Sequence, residues 1–147
     1  PGLPLTVTPS RHVLVRVLLD GQAVKALIDT GAAQSILLLE AAHRLYGIDP
    51  SLLPRAGEIV GADGGRVGAY IRPFGTLALG SIALANPPVV IVPDQTHRMH
   101  RPLSGTAGIE EDAGLPDFTL GMPVLRQFHL IIAYRDATLY VGRAETP

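Results

Sequence analysis

The chain has 147 residues, of which 47% are hydrophobic and 17% are charged, and this composition is typical of one globular domain with a real core. The net charge is -1, and the 12 basic and 13 acidic residues are spread along the chain without a basic stripe, which argues against nucleic acid as a partner. The lack of cysteine excludes disulfides, zinc-thiolate sites and thiol catalysis, and no apolar run is long enough to span a bilayer.

The first predicted elements form a β-hairpin that ends at an acid. Residues 1–11 are expected to be an N-terminal arm, and because the chain starts at Pro1 rather than Met we expect that an upstream segment was removed. A β-rich run over residues 12–19 is followed by Asp20-Gly21, which is a strong hairpin signal. A second run over 23–28 then leads directly into Asp29-Thr30-Gly31.

A helix and a second hairpin follow. Apolar residues recur at helical spacing through residues 37–46, and Gly47 is placed to end that helix. A loop with Pro50 and Pro54 comes next. Residues 57–71 predict another hairpin with a glycine-rich turn.

The second half of the chain predicts short strands around one long loop. Strands are expected at 74–79, 82–85 and 88–92, and the aperiodic segment 93–117 is expected to be a long exposed loop. After it, a short helix is expected from Pro123, and the chain closes with strands at 128–134 and 137–142. The whole chain, 1–147, therefore predicts a single all-β domain with one or two short helices.

The segment from Ala26 to Ala33 carries the clearest chemical signal. An apolar strand delivers Asp29, then a hydroxyl residue and a glycine, then small residues. The apolar lead-in places the carboxylate of Asp29 against a low-dielectric wall, while Thr30 can lock the loop through its hydroxyl. Gly31 allows a close backbone approach and offers an N–H to the carboxylate. The plain alternative is that Asp29 only forms a turn after a strand.

These residues resemble the Asp-Thr-Gly signature of the aspartic proteases, and the order of elements resembles the retropepsin branch, more its cellular and bacterial members than its viral ones. The resemblance implies a retropepsin-like acid protease barrel or sandwich, with one lobe per chain. It implies Asp29 as the catalytic acid, supported by Thr30, Gly31 and Ala32. It further implies a substrate-binding flap, made of Ile59, Val60, Gly61, Ala62, Asp63, Gly64 and Gly65. It also implies an apolar second loop, made of Leu120, Gly121 and Met122.

One chain carries one such signature, which has consequences for assembly. No second Asp-Thr-Gly or Asp-Ser-Gly occurs in the 147 residues, so a bilobal monomer is excluded for this chain. The resemblance implies a homodimer, or an upstream domain that supplies its own Asp. Residues 1–9 and 137–142 are the candidate interface strands. Viral members have Arg after the glycine of the second loop, and related proteins often have Gly-Met-Asp, whereas Met122 and Pro123 stand here, so we expect a weaker dimer.

The implied activity is that of an aspartic endopeptidase acting on an extended peptide, with no cofactor and no metal. Ile59, Val60, Tyr70 and Val124 are the candidate pocket residues. By resemblance alone we expect an exported or periplasmic protein, or one anchored to a membrane through a region that this chain lacks.

Two other functions compete with this interpretation. A retropepsin fold could serve only for dimerisation or binding, although the intact Asp29-Thr30-Gly31 argues against a non-catalytic copy. A metal-dependent hydrolase could use His97, His100 and the acidic run 110–112, but no regular element places a further ligand beside them. A serine triad is unsupported because no Gly-x-Ser-x-Gly is present.

Overall fold

Strands make up most of the regular structure in residues 2–60, 64–93 and 116–145, which are the residues that the computed structural model describes. The first six strands are β1 (Gly2–Val7), β2 (Val13–Leu19), β3 (Gln22–Ile28), β4 (Ile36–Leu38), β5 (Arg55–Val60) and β6 (Arg66–Ile71). The other six are β7 (Thr76–Leu79), β8 (Ile82–Ala85), β9 (Val90–Val92), β10 (Phe118–Leu120), β11 (Phe128–Ala133) and β12 (Thr138–Arg143). The helices described are the α-helices α1 (Leu39–Tyr46) and α2 (Met122–Leu125) and a one-turn 3-10 helix at Pro50–Leu52, so the all-β class with few short helices is confirmed.

All twelve strands join one sheet in the order β11-β12-β1-β2-β3-β10-β4-β9-β6-β5, and β7 and β8 attach to it through β2. Most neighbours are antiparallel, but β10 lies parallel to β3, and β4 lies parallel to β9. The core lies on the inner face of this sheet, where Val17 and Leu19 of β2 are 1% and 0% exposed. They belong to one hydrophobic cluster with Leu37, Phe118 and Leu120.

The hairpin of β2 and β3 forms as its sequence predicts. The pairing runs without interruption from Val13 opposite Ile28 to Leu19 opposite Gln22. Asp20 and Gly21 connect the strands with φ angles of 48° and 80°. A two-residue turn with both φ angles positive matches the twist of the strands, and Asp-Gly is among the pairs that tolerate it best. This hairpin carries Asp29 at its far end.

The helix predicted over 37–46 begins later than expected. Residues 36–38 are extended as β4, which pairs with β10 on one side and β9 on the other, so α1 starts at Leu39. The apolar pattern that predicted the helix extends back into β4, because Leu37 and Leu38 are buried there as strand residues. Gly47 ends the helix as predicted, with a left-handed φ of 65°. No helix in the described ranges is both long and apolar enough to cross a membrane.

The N-terminal segment, expected to be an arm, contains a strand from Gly2 to Val7. Its first half pairs with β12, with Gly2 opposite Tyr140, and its second half pairs with β2, with Leu5 opposite Val15. Leu5 is buried and anchors the strand. The two segments that we considered as interface strands therefore pair with each other inside one chain.

The remaining strands lie close to their predicted positions, and the structure contains one further strand, β10, that the sequence did not predict. The strands expected at 74–79 and 88–92 are shorter, whereas 82–85 is a strand throughout. The loop predicted at 93–117 falls largely on residues 94–115, outside the described ranges. Residues 118–120, which we had not assigned to a strand, form β10 between β3 and β4. α2 begins at Met122, so Pro123 stands in its first turn.

Asp20 ties the turn of the β2–β3 hairpin to the start of β7. One of its carboxylate oxygens, Oδ1, accepts hydrogen bonds from the backbone N–H groups of Gly75 and Thr76, at 2.8 and 2.9 Å. The other, Oδ2, lies 3.3 Å from Arg72, whose guanidinium stacks 4.7 Å from the centre of the Phe74 ring. The carboxylate thereby holds the end of the hairpin that is distant from Asp29.

Tyr46 connects α1 to the same end of the hairpin. Its hydroxyl donates a hydrogen bond of 2.7 Å to the carbonyl of Leu19, and its ring meets Phe74 edge to face at 5.4 Å. Burial of the phenol raises the pKa of Tyr46 from 10.0 to about 12, Asp20 adds to the rise, and Arg72 opposes it. The neutral phenol is thus the form that the folded protein favours.

We expect the stability of the fold to fall at alkaline pH through Tyr46. Because its folded pKa, about 12, exceeds the ordinary value of 10.0, its contribution is complete below pH 10.0 and is lost as the pH rises towards about 12. Tyr46→Phe should cost about 1–3 kcal/mol at neutral pH, because the Leu19 carbonyl loses its donor, and should flatten the alkaline decline. Urea unfolding at a series of pH values measures both effects. Tyr134→Phe, at a side chain that is 60% exposed, is the control, and an equal alkaline slope in wild type and Tyr46→Phe would contradict the assignment.

Candidate active site

The candidate site is built where two parallel strands end side by side. Leu120, the last residue of β10, lies opposite Ile28, the last residue of β3. Because the strands run in the same direction, the loops that follow them leave the same edge of the sheet. Those loops begin with Asp29 and with Gly121, so the two motifs that the sequence separates by about 90 residues are neighbours in the fold.

Backbone hydrogen bonds tie the two loops together on both sides. The N–H of Asp29 donates to the carbonyl of Leu120 at 3.0 Å. In return, the N–H of Met122 donates to the carbonyl of Ala32, also at 3.0 Å. A further bond of 3.2 Å, from the N–H of Ala32 to the Asp29 carbonyl, closes a tight turn within the first loop. The position of Asp29 therefore depends on the second loop as much as on its own strand.

The carboxylate of Asp29 is half-buried and oriented from one side. Its Oδ1 accepts a hydrogen bond of 3.0 Å from the N–H of Gly31, as the sequence predicted. Within the described ranges this is the one hydrogen bond that the carboxylate makes. Thr30 and Gly31 are exposed beside it. The sequence predicted that the Thr30 hydroxyl would stabilise the loop through a hydrogen bond. Among the described residues of the chain this hydroxyl has no hydrogen-bond partner.

Ser35 supports the site and was missed by sequence reasoning. Its side chain is fully buried, and its Oγ accepts a hydrogen bond of 3.0 Å from the N–H of Gly121. Its backbone carbonyl also accepts from Val90 at 3.0 Å, which connects the loop to β9. A serine shortly after a small-residue loop is too common a pattern to reveal a partner 86 positions away in the sequence.

Gly121 fills a position that has no room for a side chain. A Cβ at this residue would overlap the backbone of Gln34 and would lie 2.8 Å from the carbonyl oxygen of Ala32. Real Cβ atoms do not approach backbone atoms so closely. Leu120 beside it is buried in the core, whereas Met122 is 39% exposed at the start of α2. The second loop predicted from the sequence is thus in contact with the Asp29 loop.

The predicted flap has the form of a hairpin in the part that is described. β5 and β6 pair antiparallel, with Val60 opposite Arg66 and a bulge near Gly57, whose φ is 105°. Gly64 and Gly65 begin the return, while Gly61, Ala62 and Asp63 of the predicted turn lie outside the described ranges. The strand β5 contains Ile59 and Val60, and an exposed ion pair of 3.6 Å joins Glu58 to Arg66 across the hairpin.

The pocket assignment of Val124 is wrong for this chain. Val124 is fully buried in the core beneath α2, so its side chain offers no wall to a ligand. Leu125, the next residue of α2, is buried in the same core. Tyr70 remains partly buried in β6, where it lies opposite Arg55.

No group of three or more potential metal ligands occurs among the residues that are described. His97, His100 and the acidic run 110–112, which were considered as ligands in the sequence, lie outside those ranges. The carboxylate of Asp29, with its backbone donor, is therefore the chemically distinctive group of this edge of the sheet.

Comparisons with known proteins agree with this geometry. A family model described as aspartyl protease matches residues 15–124, which is more than half of the chain. A retropepsin-like aspartic protease from Rickettsia conorii is structurally similar, with a TM-score of 0.64 and 17% identity over 97% of this chain and 98% of that one. The retroviral protease-like domain of Ddi1 from Leishmania major gives a TM-score of 0.57 and 19% identity over 92% of this chain and 90% of that one. No curated protein sequence matches the chain. The resemblance inferred from the sequence is confirmed at the level of family and fold.

We expect Gly121→Ala to disrupt the site because the added methyl group overlaps the backbone of the Asp29 loop. The loss of stability should be at least about 2 kcal/mol, as for overpacking that only a backbone shift can relieve. Gly142→Ala is the matched control, since a Cβ there meets its nearest neighbour, the Cβ of His129, at an ordinary 3.8 Å. Urea unfolding of both variants measures the difference. Equal stability of the two would mean that the contact at Gly121 is not as tight as the structure has it.

Proposed function

Because the chain belongs to the aspartyl protease family, we propose that it is an aspartic endopeptidase whose active site uses Asp29 together with the Asp29 of a second copy. The observation that carries the proposal is the reciprocal hydrogen bonding between the Asp29 loop and the second loop. The N–H of Asp29 donates to the Leu120 carbonyl and the N–H of Met122 donates to the Ala32 carbonyl, so the Asp29 loop is held on both sides. The bond from the Gly31 N–H to the carboxylate also occurs in an ordinary Asx turn, whereas an Asp that only forms a turn needs no second loop to position it.

The chemistry requires two carboxylates that share one proton. The ionised carboxylate takes a proton from a water molecule, and the protonated one polarises the carbonyl of the scissile peptide bond. The mechanism therefore needs one of the two carboxylates ionised and the other protonated at the same time. One chain supplies one such group, since Asp29-Thr30-Gly31 occurs once in the sequence.

The second copy would meet the first through exposed residues beside Asp29. Thr30 and Gly31 are exposed at the tip of the loop, and Met122 is 39% exposed next to it. The Thr30 hydroxyl, which has no partner among the described residues of its own chain, is a donor and acceptor available to that copy. Met122 and Pro123 cannot form the ion pairs that an Arg at this position would allow, so a weak dimer is expected.

The substrate would bind as an extended strand under the hairpin of β5 and β6. Main-chain groups would supply most of its hydrogen bonds, and pockets for alternate side chains would give selectivity. Residues 61–65 would act as the flap tip, because three of the five are glycines, whose backbone can approach the substrate closely. Ile59, Val60 and Tyr70 remain the candidate side chains of the pockets.

We expect Asp29→Asn to abolish peptide cleavage, by at least about 10³-fold, because an amide cannot act as base or as shared-proton acid. Asparagine has nearly the same shape as aspartate, so the variant should keep the fold and the circular dichroism spectrum of wild type. Asp136→Asn, at an exposed acid in the turn between β11 and β12, is the matched control and should cleave normally. Cleavage of an unstructured protein by each variant measures the effect. Undiminished cleavage by folded Asp29→Asn would end the proposal.

Activity should also depend on protein concentration. If the active site is shared, specific activity should fall on dilution in proportion to the dimer population. Mixing wild type with excess Asp29→Asn should suppress cleavage, because mixed dimers lack a complete pair, whereas excess Asp136→Asn should not. The measurement is activity against concentration, paired with sedimentation velocity. Full specific activity from a monomeric species would show that the site is not shared between copies.

A further inference from the structure

A groove lies on the outer face of the β2–β3 hairpin. β1 pairs with β2 at residues 13–15, and β7 pairs with it at residues 18–19, so neither strand pairs with the stretch between them. The cavity left there encloses about 460 Å³, within the roughly 300–1,000 Å³ that is usual for small-molecule sites.

The walls of this outer groove are mainly hydrocarbon. Leu3 contributes from β1, Leu14 and Leu18 from β2, and Ala78 from β7. Leu18, near the end of β2, is 44% exposed where the groove opens to solvent. These residues form an apolar lining that is partly sheltered from water, with Arg16 between Leu14 and Leu18 on the same face of β2.

Two cationic side chains stand together in the same groove. Arg16 of β2 lies directly opposite Lys25 of β3 in the strand register, and both line the cavity. Like charges at directly opposed positions destabilise a sheet. Among the described residues the ion pairs involve Arg44, Arg66 and Arg72, and none involves Arg16 or Lys25. Among the described residues, no acidic side chain therefore forms an ion pair with the two cations of the groove.

We propose that this outer groove binds a long-chain carboxylate. The carboxylate would lie between Arg16 and Lys25, where it relieves their repulsion and can form charge-assisted hydrogen bonds with both. The aliphatic chain would extend to one side of Arg16, along Leu18 and Leu3, where it removes apolar surface from water. The site is distinct from the one proposed for peptide cleavage and does not depend on it.

The composition of the groove favours such an amphiphile over a peptide. Apart from the two cations, Thr6 is the polar side chain of the lining. A peptide could pair with residues 16 and 17 of β2, which neither β1 nor β7 covers. Along the hydrocarbon walls, its remaining main-chain N–H and C=O groups would be buried without a partner, which is costly. A ligand with one anionic end and an otherwise hydrocarbon body brings a single polar group, and the two cations pair with it.

The test is titration calorimetry with sodium decanoate, kept below the concentration at which it forms micelles. Wild type should bind it with one site per chain, and the double variant Arg16→Gln, Lys25→Gln should bind at least about tenfold more weakly because two charge-assisted hydrogen bonds are lost. Arg135→Gln, at an exposed cation in the β11–β12 turn, should bind like wild type. Decanol, which has the chain without the charge, should bind weakly and equally to all three proteins.

Several results would overturn the proposal. They are the absence of decanoate binding to wild type, equal binding by the double variant, and association only with vesicles containing an anionic phospholipid. Thermal unfolding separates a direct role from a structural one. The double variant should be at least as stable as wild type, since it loses a like-charge contact. A marked fall in its Tm together with lost binding would assign Arg16 and Lys25 to the structure of the groove and not to the ligand.

Discussion

The parallel contact between β3 and β10 is the constraint on which the candidate active site depends. It places Asp29 and Gly121 at one edge of the sheet, and reciprocal backbone hydrogen bonds then join the loops that follow. The contact is possible only because Gly121 has no side chain, since a Cβ would occupy the space of the Gln34 backbone. The buried hydroxyl of Ser35 satisfies the N–H of Gly121, so this close approach leaves no polar group of that residue unpaired.

The opposite end of the same hairpin is held by a different kind of interaction. There Asp20 accepts two backbone N–H groups and contacts Arg72, and Tyr46 donates to Leu19. The hairpin that carries Asp29 is therefore fixed at its turn by side chains and at its open end by a neighbouring loop. Fixing both ends limits how far the carboxylate can move, which is the preorganisation that acid–base chemistry requires.

The sequence predicted the features that depend on a few adjacent residues, and missed those that depend on distant ones. Asp20-Gly21 determines its turn through its own φ angles, and Gly47 ends α1 for the same reason, so both were predictable. β10 has three residues, and what makes it a strand is its position between β3 and β4, which no local pattern reveals. Leu37 and Leu38 fit a helical period and a strand equally well, and pairing on both sides decided between them.

The placement of β1 bears on how two copies could share a site. Residues 2–4 of β1 pair with β12 and residues 5–7 pair with β2, so each half of this strand has one side occupied within its own chain. Among the described strands β11 is at an end of the sheet, with one side unpaired, and exposed Ile131 lies on it. A second copy that completes the proposed site would contact the Asp29 loop and the start of α2, where Thr30 and Met122 are exposed. Such a contact joins short loops instead of strand edges and brings few main-chain hydrogen bonds, which is the physical reason to expect the two subunits to separate readily.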